Sequence, residues 1–453
     1  MTEASRPRLR IRVSIAGSDP EIWRLIELDA DLALDRVHPI LQLAFGWRDR
    51  HLHAWLTEDP WAGRKPLRTM MPLPRRWIPL WLRDDGDEGE SETEISIARA
   101  LEVGSGLLYY EYDFGDGWVH RIELIEAFDD PAADAPAIVV RGQRRGPLED
   151  SGGIGGYEQL LATLADPAAD DHQHMRDWAD WVSGPWAGFD PEAVDVDGIN
   201  DALSRLGRSP STETSALDEL VHRLPGTLGA DLRAFADAAL RDAPEVDDAT
   251  RVRMLEPYLW LLRRVGDEGI TLTAAGWLPP VVVRDAMREL DWEWRDVGAM
   301  NREDRTVAIA DLRANARRLG LIRLAKGRLL LTAAGRRALA DPVSLWRSAA
   351  AAAVERGLEG AARDAALLLA VEACAARHAD ADAVLSAVAD GLEELGWRHR
   401  DGTALDALDA RDLTHDTWAL FIDLGVFARG SRRREIGEAT PGGRAFAAAM
   451  LRA

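Results

Sequence analysis

Residues 107–126 read LLYYEYDFGDGWVHRIELIE, two runs rich in aromatic and β-branched side chains on either side of Gly115-Asp116-Gly117. This composition predicts two antiparallel strands joined by a tight turn, in which Asp116 bonds back to nearby backbone N–H groups. Because successive side chains alternate across a strand, each run has one ring-rich face, formed by Tyr110, Tyr112 and Phe114 and by Trp118, His120 and Ile122. A two-stranded ribbon with so much aromatic surface is unstable alone in water, so we expect it at the centre of an N-terminal sheet.

The segments around this hairpin predict further strands and a helix. Strand-like alternation or β-branched content occurs in residues 8–15, 22–28, 51–56 and 137–141. Residues 33–45 carry apolar side chains at helical spacing, and Gly46 ends that helix. The acidic run 84–94 is expected to be an exposed loop. The predicted fold class is therefore α+β, with a mixed or antiparallel sheet and helices.

Charge is distributed unevenly along the 453 residues. Residues 1–207 carry 21 basic and 39 acidic side chains, a net charge of −18, whereas residues 208–453 carry 34 and 38, a net charge of −4. The front of the chain would repel a phosphate backbone, while the back can hold local basic patches. A single cysteine, no secretory h-region and no apolar run of membrane-spanning length predict a cytoplasmic protein without membrane association.

From residue 217 onward the chain is Ala-, Leu- and Arg-rich and reads as mainly helical. A Thr-x-x-Gly theme recurs at Thr273, Thr332 and Thr440. Around the last two, the order of helix, hairpin and helix predicts winged-helix-like units. The predicted domains are an α+β domain over 1–207, a helical region with the first unit over 208–345, and a second such region over 346–453.

Several separated motifs resemble the plasmid pRiA4b ORF-3-like family. The resemblance spans roughly residues 7–207 and rests on YDFGDGWVH (112–120), PLEDSGGIGGY (147–157), Trp23-Arg24, Phe45-Gly46-Trp47, His51-Leu52-His53 and Phe189-Asp190-Pro191. The back of the chain is similar to the extension of long bacterial members, notably at 276–280 and 299–304. The resemblance implies an α+β fold and an association with plasmids and insertion elements, but no activity.

The family motifs supply the candidate binding residues, which are Tyr112, Asp113, Phe114, Asp116, Trp118, His120, Glu149, Asp150 and Tyr157. If the hairpin meets the Gly-rich turn at 152–156, the carboxylates form an acidic pocket rimmed by Tyr112, Trp118 and Tyr157. Such a pocket suits a cation, a basic peptide or an arginine side chain. The alternative is turn chemistry, with each aspartate bonding its own backbone.

Three other kinds of site are weaker. His51 and His53, two apart on a strand, suggest a metal site with His120, Asp113 or Asp116. The glycines at 152–156 suggest an anion site, but capping by Ser151 and a close backbone crossing explain them better. The resolvase-like label of some family members needs a serine near several arginines, and the front of the chain offers no such cluster. We predict no catalytic residue, no metal and no cofactor.

The second half offers the best route to nucleic acid. Its candidate contacts are Arg313, Arg317 and Arg318 on the expected recognition helix, Arg323, Lys326 and Arg328 on its hairpin, and Arg432, Arg433 and Arg434 on the second hairpin tip. Arginines on an Ala-rich helix also occur simply as a solvated face, and winged helices also serve as protein-binding or dimer modules.

The sequence therefore predicts a non-enzymatic binding or adaptor protein of plasmid and mobile-element biology. Its leading partner is another protein, bound through the aromatic and acidic N-terminal surface, and a homodimer is left open. The alternative is a DNA-binding regulator that acts through the C-terminal arginines. A metalloprotein or enzyme that uses His51, His53 and His120 is the weakest alternative.

Overall fold

The structure is a computed structural model that describes residues 6–61, 75–84, 88–130, 135–206, 215–224, 227–295, 300–355, 358–429 and 436–453. The chain divides into two compact units. The first comprises Met1–Pro210 and Leu224–Arg233, and the second Ser211–Arg223 and Ala234–Ala453. The predicted three-domain division, with boundaries at residues 207 and 345, stays a prediction.

An eight-stranded sheet forms the frame of the first unit. Its strands are β1 Pro7–Ile15, β2 Trp23–Asp29, β3 His53–Leu56, β4 Arg76–Ile78, β5 Glu90–Ser91, β6 Leu107–Tyr112, β7 Trp118–Asp129 and β8 Ala137–Gln143. Their spatial order is β5-β4-β3-β6-β7-β1-β2-β8, antiparallel throughout except for the parallel pair β4 and β5. The predicted mixed sheet is confirmed, and the hairpin β6–β7 lies at its centre.

Helices of the first unit bury the apolar face of this sheet. They are α1 Leu34–Phe45, α2 Leu80–Asp84, α3 Ile97–Val103, α4 Gly153–Ala165, α5 His172–Ser183 and α6 Val196–Arg205. Val37, Ile40 and Leu41 of α1 are fully buried in one core with the inward residues of β1 and β2. On α6, the Asn200 amide accepts from the Val139 N–H at 2.7 Å and donates to its carbonyl at 2.9 Å. It thereby occupies backbone groups of the edge strand β8.

The central hairpin is antiparallel as predicted, but its turn is longer than the expected Gly115-Asp116-Gly117. Tyr112 pairs with Trp118 and Tyr110 with His120. The connection spans residues 113–117, and Asp113, at φ 57°, holds it. Asp113 Oδ1 accepts from the N–H groups of Gly115 at 3.0 Å and Asp116 at 3.3 Å. The prediction that Asp116 bonds its own turn is wrong, because Asp113 precedes the reversal and its carboxylate reaches the inward N–H groups first.

The second unit is mainly helical, as predicted. Its helices are α7 Ala216–Arg223, α8 Leu228–Arg241 (which begins in the first unit), α9 Asp248–Met254, α10 Glu256–Val265, α11 Pro280–Glu289, α12 Val307–Arg318, α13 Ala333–Ala340, α14 Pro342–Glu355, α15 Gly360–Ala375, α16 Ala381–Glu394, α17 Ala407–Leu413, α18 His415–Leu424 and α19 Pro441–Leu451. Its short strands are β9 Ile270–Thr271, β10 Ile322–Ala325, β11 Arg328–Leu331, β12 Phe427–Arg429 and β13 Ile436–Ala439. Among the described residues, no helix combines the length and apolar character that crossing a bilayer requires.

The repeated Thr-x-x-Gly theme starts a helix in two of its three copies. Thr332 Oγ1 accepts from the Gly335 N–H at 3.0 Å, and Thr440 Oγ1 accepts from the Gly443 N–H at 2.9 Å. These threonines cap α13 and α19 directly after their hairpins. The copy at Thr273 forms a turn instead, closed by the Trp277 N–H on the threonine hydroxyl at 3.1 Å. The helix–hairpin–helix order is confirmed, whereas a winged-helix fold stays a prediction.

Candidate functional site

The rings of the central hairpin lie inside the first unit. Trp47, in the turn after α1, stacks on Tyr112 with ring centroids 4.7 Å apart and meets His120 edge-on at 4.9 Å. Relative exposure is 0% for Tyr112 and His120 and 2% for Trp118 and Tyr157. The prediction that these rings rim a surface pocket is therefore wrong. Burying roughly 150–250 Å² of each large ring in the core stabilises the fold more than leaving the ring at the surface would.

The polar end of Tyr112 links the hairpin to the segment that precedes the Gly-rich turn. Its hydroxyl donates to Glu149 Oε1 at 2.6 Å and accepts from the Arg50 N–H at 3.0 Å. The same Glu149 oxygen accepts from the Arg48 N–H at 3.1 Å, and Glu149 is only 7% exposed. Burial, together with the neighbouring Glu149 carboxylate, raises the pKa of Tyr112. Glu149 is thus a buried acceptor that orders the loop 48–50.

The acidic side chains do meet across the hairpin and the Gly-rich turn. His51 lies between two of them, with Nδ1 3.5 Å from Asp113 Oδ2 and Nε2 3.5 Å from Asp150 Oδ1. Asp116 reaches the same turn, where its Oδ2 accepts from the Gly152 N–H at 2.9 Å. Asp113 is 10% exposed in its side chain and Asp150 is 69% exposed. Together these side chains form an acidic site whose exposure to solvent increases from Asp113 to Asp150.

The glycines at 152–156 allow the backbone at the start of α4 to pass close to the backbone of the hairpin turn. Gly152, at φ 83°, precedes α4, and a Cβ on Gly153 would lie 2.5 Å from the carbonyl oxygen of Asp116. The predicted crossing is confirmed. The predicted capping by Ser151 is wrong, because its hydroxyl donates to the Leu148 carbonyl at 2.7 Å and α4 starts without a side-chain cap.

A tryptophan that the sequence analysis did not single out lies on the hairpin tip. Trp61 is 66% exposed, and its ring packs so closely on Gly117 that a Cβ there would lie 2.7 Å from Trp61 Cζ2. Phe114, in contrast, is half-buried and packs against Ala54, Ile78 and Leu82. The tip therefore presents one exposed ring against Gly117, the residue that follows Asp116. We call His51, Trp61, Asp116 and Asp150 the tip surface.

Residues 7–198 match the model of the family described as plasmid pRiA4b ORF-3-like protein. This stretch is a pRiA4b ORF-3-like domain. It is similar to the uncharacterized protein y4hQ of Sinorhizobium fredii, at 28% identity over 200 residues, which is 44% of this chain and 91% of that protein. It is also similar to the crystal structure of a protein of unknown function, MM3350, from Methanosarcina mazei Go1. That likeness has 25% identity and a TM-score of 0.36, and it covers 43% of this chain and 98% of the other.

The three histidines proposed for a metal do not converge in the pRiA4b ORF-3-like domain. His51 belongs to the tip surface, and its nearest ligand atoms with Asp113 and Asp150 lie within 4.8 Å of one another. His120 Nδ1 donates to the Tyr110 carbonyl at 3.3 Å, and burial lowers its pKa to about 3. His53 faces Glu92, with Nε2 2.9 Å from Oε2. The predicted shared set is wrong because only His53 lies in β3 and its ring turns inward.

A second polar group in this domain escaped sequence reasoning. His38 Nε2 lies 2.8 Å from Asp49 Oδ1, its Nδ1 lies 2.7 Å from the Tyr110 hydroxyl, and its ring stacks on His53 at 3.8 Å with a 10° tilt. A metal lies near the plane of each imidazole that binds it, and two parallel rings this far apart cannot share one without turning. This arrangement favours a buried hydrogen-bond network over a metal centre.

Two features of the sequence bear on that network: a polar residue within the apolar stripe of α1, and a glutamate within the acidic run 84–94. His38 is a polar residue on the apolar stripe of α1, between Val37 and Ile40. Glu92, in the acidic run 84–94 that was predicted to be an exposed loop, is 5% exposed and also accepts from Trp55 Nε1 at 3.0 Å. That part of the prediction is wrong, because a carboxylate with two buried donors is held inside.

The predicted nucleic-acid residues of the second unit differ in what they contact. Arg313 Nε pairs with the buried Glu303 at 2.8 Å, and its Nη1 donates to the Gly276 carbonyl at 3.0 Å. Arg318 donates to Asn315 Oδ1 at 3.2 Å and the Ala353 carbonyl at 3.3 Å, and burial lowers its pKa. These two side chains are therefore engaged within the unit.

The remaining predicted cations are on the surface or outside the described residues. The exposed ones are Arg317, Arg323, Lys326 and Arg328. The three hairpin cations lie close together in sequence around the turn between β10 and β11. Arg432, Arg433 and Arg434 lie outside the described residues.

Proposed function

We propose that this protein is a non-enzymatic binding protein whose pRiA4b ORF-3-like domain receives a cationic side chain of a partner protein at the tip surface. The observation that carries the proposal is that the exposed Trp61 ring packs on Gly117, the residue directly after Asp116 in the hairpin turn. Its place in plasmid or mobile-element biology is part of the same proposal and rests on the family.

The chemistry of the tip surface suits an arginine or lysine. Asp150 offers a carboxylate that is 69% exposed, and the front of the chain carries a net charge of −18. An indole face attracts a cation by about 0.5–1 kcal/mol at an exposed site and about 2 when water is excluded. An exposed ion pair adds only about 0–1 kcal/mol. A partner therefore has to cover the surroundings of the tip, where Leu52 is 38% exposed, to bind stably.

His51 lies between two carboxylates of this site, because its two nitrogens face Asp113 and Asp150. A divalent cation would compete for the same oxygens. A basic side chain can contact both the exposed ring and the carboxylates, whereas a metal ion would use the carboxylates alone and leave Trp61 without a role.

Affinity purification with tagged full-length variants tests the proposal. The comparison is wild type, Trp61→Ala, Asp150→Asn and the matched control Trp181→Ala, which removes a 74% exposed ring of the same unit. We expect quantitative mass spectrometry to show one protein recovered equally by wild type and Trp181→Ala. Trp61→Ala and Asp150→Asn should each recover at least fivefold less, and salt should elute the partner.

Two outcomes would contradict this function. One is that no protein is enriched over an untagged preparation. The other is that Trp61→Ala and Trp181→Ala recover the same amounts. A second copy of the chain as the enriched partner would identify a homodimer and is resolved by mixing two differently tagged forms.

DNA binding by the second unit is the other candidate function. The observation that favours it is the exposure of Arg323, Lys326 and Arg328 on one hairpin. Such a cluster suits phosphate contacts, which set affinity without reading sequence.

A further inference from the structure

A cavity of about 500 Å³ lies in the first unit, beside α4 and α5. Its volume falls in the range of roughly 300–1,000 Å³ that small-molecule sites occupy. Its wall includes Leu161, Leu164, Phe189, Pro191, Arg144 and Arg176. The Phe189-Asp190-Pro191 motif singled out in the sequence therefore lines a cavity that is separate from the tip surface. The wall combines an apolar body with two cationic side chains.

Arg144 is the unusual member of this wall. It is only 7% exposed, and its backbone is in the left-handed region at φ 63°. Its Nη2 pairs with Glu192 Oε1 at 2.9 Å, but its buried Nε has no hydrogen-bond partner among the described residues. A buried guanidinium with an unsatisfied donor is costly, and a carboxylate is the group that satisfies it best.

A second buried donor lies beside Arg144. The Tyr157 hydroxyl is buried and lies next to the Arg144 guanidinium. Burial raises the pKa of Tyr157 to about 12, against the opposing effect of Arg144 and Arg145. Within the cavity wall, the carboxylate that pairs with Arg144 is that of Glu192, which is itself 66% exposed.

The two acidic residues of the wall do not close the site to anions. Asp190 Oδ1 accepts from the Glu192 N–H at 2.9 Å, so it serves the turn of its own loop. Glu192 reaches Arg144 from a largely solvent-exposed position and can move into solvent when another carboxylate takes its place. Arg176 makes no ion pair within the described part of the chain.

We propose that this cavity binds a small organic acid, with its carboxylate on Arg144 and Arg176 and its apolar body against Leu161, Leu164 and Phe189. Glu192 occupies the carboxylate position until the ligand displaces it. This site is independent of partner binding at the tip surface.

Calorimetric titration of the full-length chain with hexanoate tests the proposal. Acetate supplies the carboxylate alone and hexan-1-ol the apolar body alone. We expect saturable binding of hexanoate, with acetate and hexan-1-ol at least tenfold weaker. Arg144→Gln should weaken hexanoate at least tenfold, while Arg99→Gln, a surface arginine of the same unit that pairs with Glu102, should leave it unchanged.

Glu192→Gln keeps the test decisive even if Arg144→Gln fails to fold. Because Glu192 is exposed and competes for Arg144, we expect its amide to tighten hexanoate binding at least threefold. The proposal is overturned if Glu192→Gln shows no saturable binding, if it binds no tighter than wild type, or if hexan-1-ol binds as well as hexanoate. Trp61→Ala should bind hexanoate like wild type. Hexanoate binding can therefore be interpreted even if the proposed function of the tip surface is wrong.

Discussion

The two units each contain a hairpin that the sequence marks clearly, and the two hairpins use their side chains in opposite ways. In β6–β7, Tyr110, Tyr112 and His120 are fully buried and hydrogen-bonded. In β10–β11, Arg323 and Lys326 remain on the surface. In a motif that the sequence marks as functional, the aromatic rings are thus the side chains that the core buries. Charged groups remain outside unless a buried partner engages them.

The arginines of α12 show where that second rule applies. Arg313 meets the buried carboxylate of Glu303, and Arg318 meets backbone and amide oxygens, so both are engaged although they lie on a helix with an exposed face. Arg317, between them in sequence, is exposed. Position on the helix decides which arginine is available to a ligand, and composition does not.

The largest expected effect concerns backbone crossings, which the two units share. A Cβ on Gly146 would lie 2.0 Å from the Phe45 carbonyl oxygen, and one on Gly335 would lie 2.2 Å from that of Leu321. We expect Gly146→Ala and Gly335→Ala each to lower the free energy of unfolding by about 3 kcal/mol or more, because backbone must move. Chemical unfolding followed by near-ultraviolet circular dichroism measures this.

Gly155→Ala is the matched control for the crossing. Gly155 lies within α4 with open space around its Cβ position, so alanine should be neutral or stabilise by about 0.5–1 kcal/mol. A loss in Gly155→Ala equal to that in Gly146→Ala would show that the contact distance does not explain the effect.

The next effect tests the buried side of the comparison through pH. His120 has its pKa lowered from 6.5 to about 3 by burial, so between these values the unfolded chain binds a proton that the folded chain does not. The free energy of unfolding therefore falls as pH drops through this window, with a His120 contribution of up to about 1.4 kcal/mol per pH unit. Above pH 6.5 the contribution is constant.

Removing the imidazole should flatten that dependence. We expect His120→Gln to show a shallower loss of stability than wild type between pH 6.5 and 4.5 in urea unfolding, whatever its stability at pH 7. Parallel profiles for the two proteins would mean that His120 takes up its proton in the folded state, and the buried network would then not be as closed as its contacts indicate.

The smallest effect tests the exposed side. Because we favour a protein partner, we expect the full-length chain to leave a random-sequence duplex unshifted in a gel at about 50 mM salt, and the triple variant Arg323→Gln, Lys326→Gln, Arg328→Gln to behave identically. DNA binding would be supported instead if the wild type shifts the duplex and the slope of log K against log salt concentration is smaller in magnitude by about 3 in the triple variant. Each phosphate contact contributes about 0.9 to that slope.

Local sequence patterns were sufficient to predict individual strands and helices. The reversal at Gly115-Asp116-Gly117, the alternation of β6 and β7 and the helical spacing of α1 predicted these elements, because strand and helix periods involve neighbouring residues. The helix–hairpin–helix order around Thr332 and Thr440 was likewise predicted, and each threonine hydroxyl accepts from an N–H only three residues away. Family motifs in fixed order also predicted a domain over roughly residues 7–207, and the family match covers residues 7–198.

Which polar groups face inward depends on contacts between residues that are far apart in the sequence. His51 meets Asp150 and His53 meets Glu92 across separations of 99 and 39 residues, and no local period encodes such pairs. The same holds for Tyr112 with Glu149, 37 residues apart. Burial of a charge or hydroxyl depends on whether a distant donor arrives at hydrogen-bond distance, and that is a property of the packed chain.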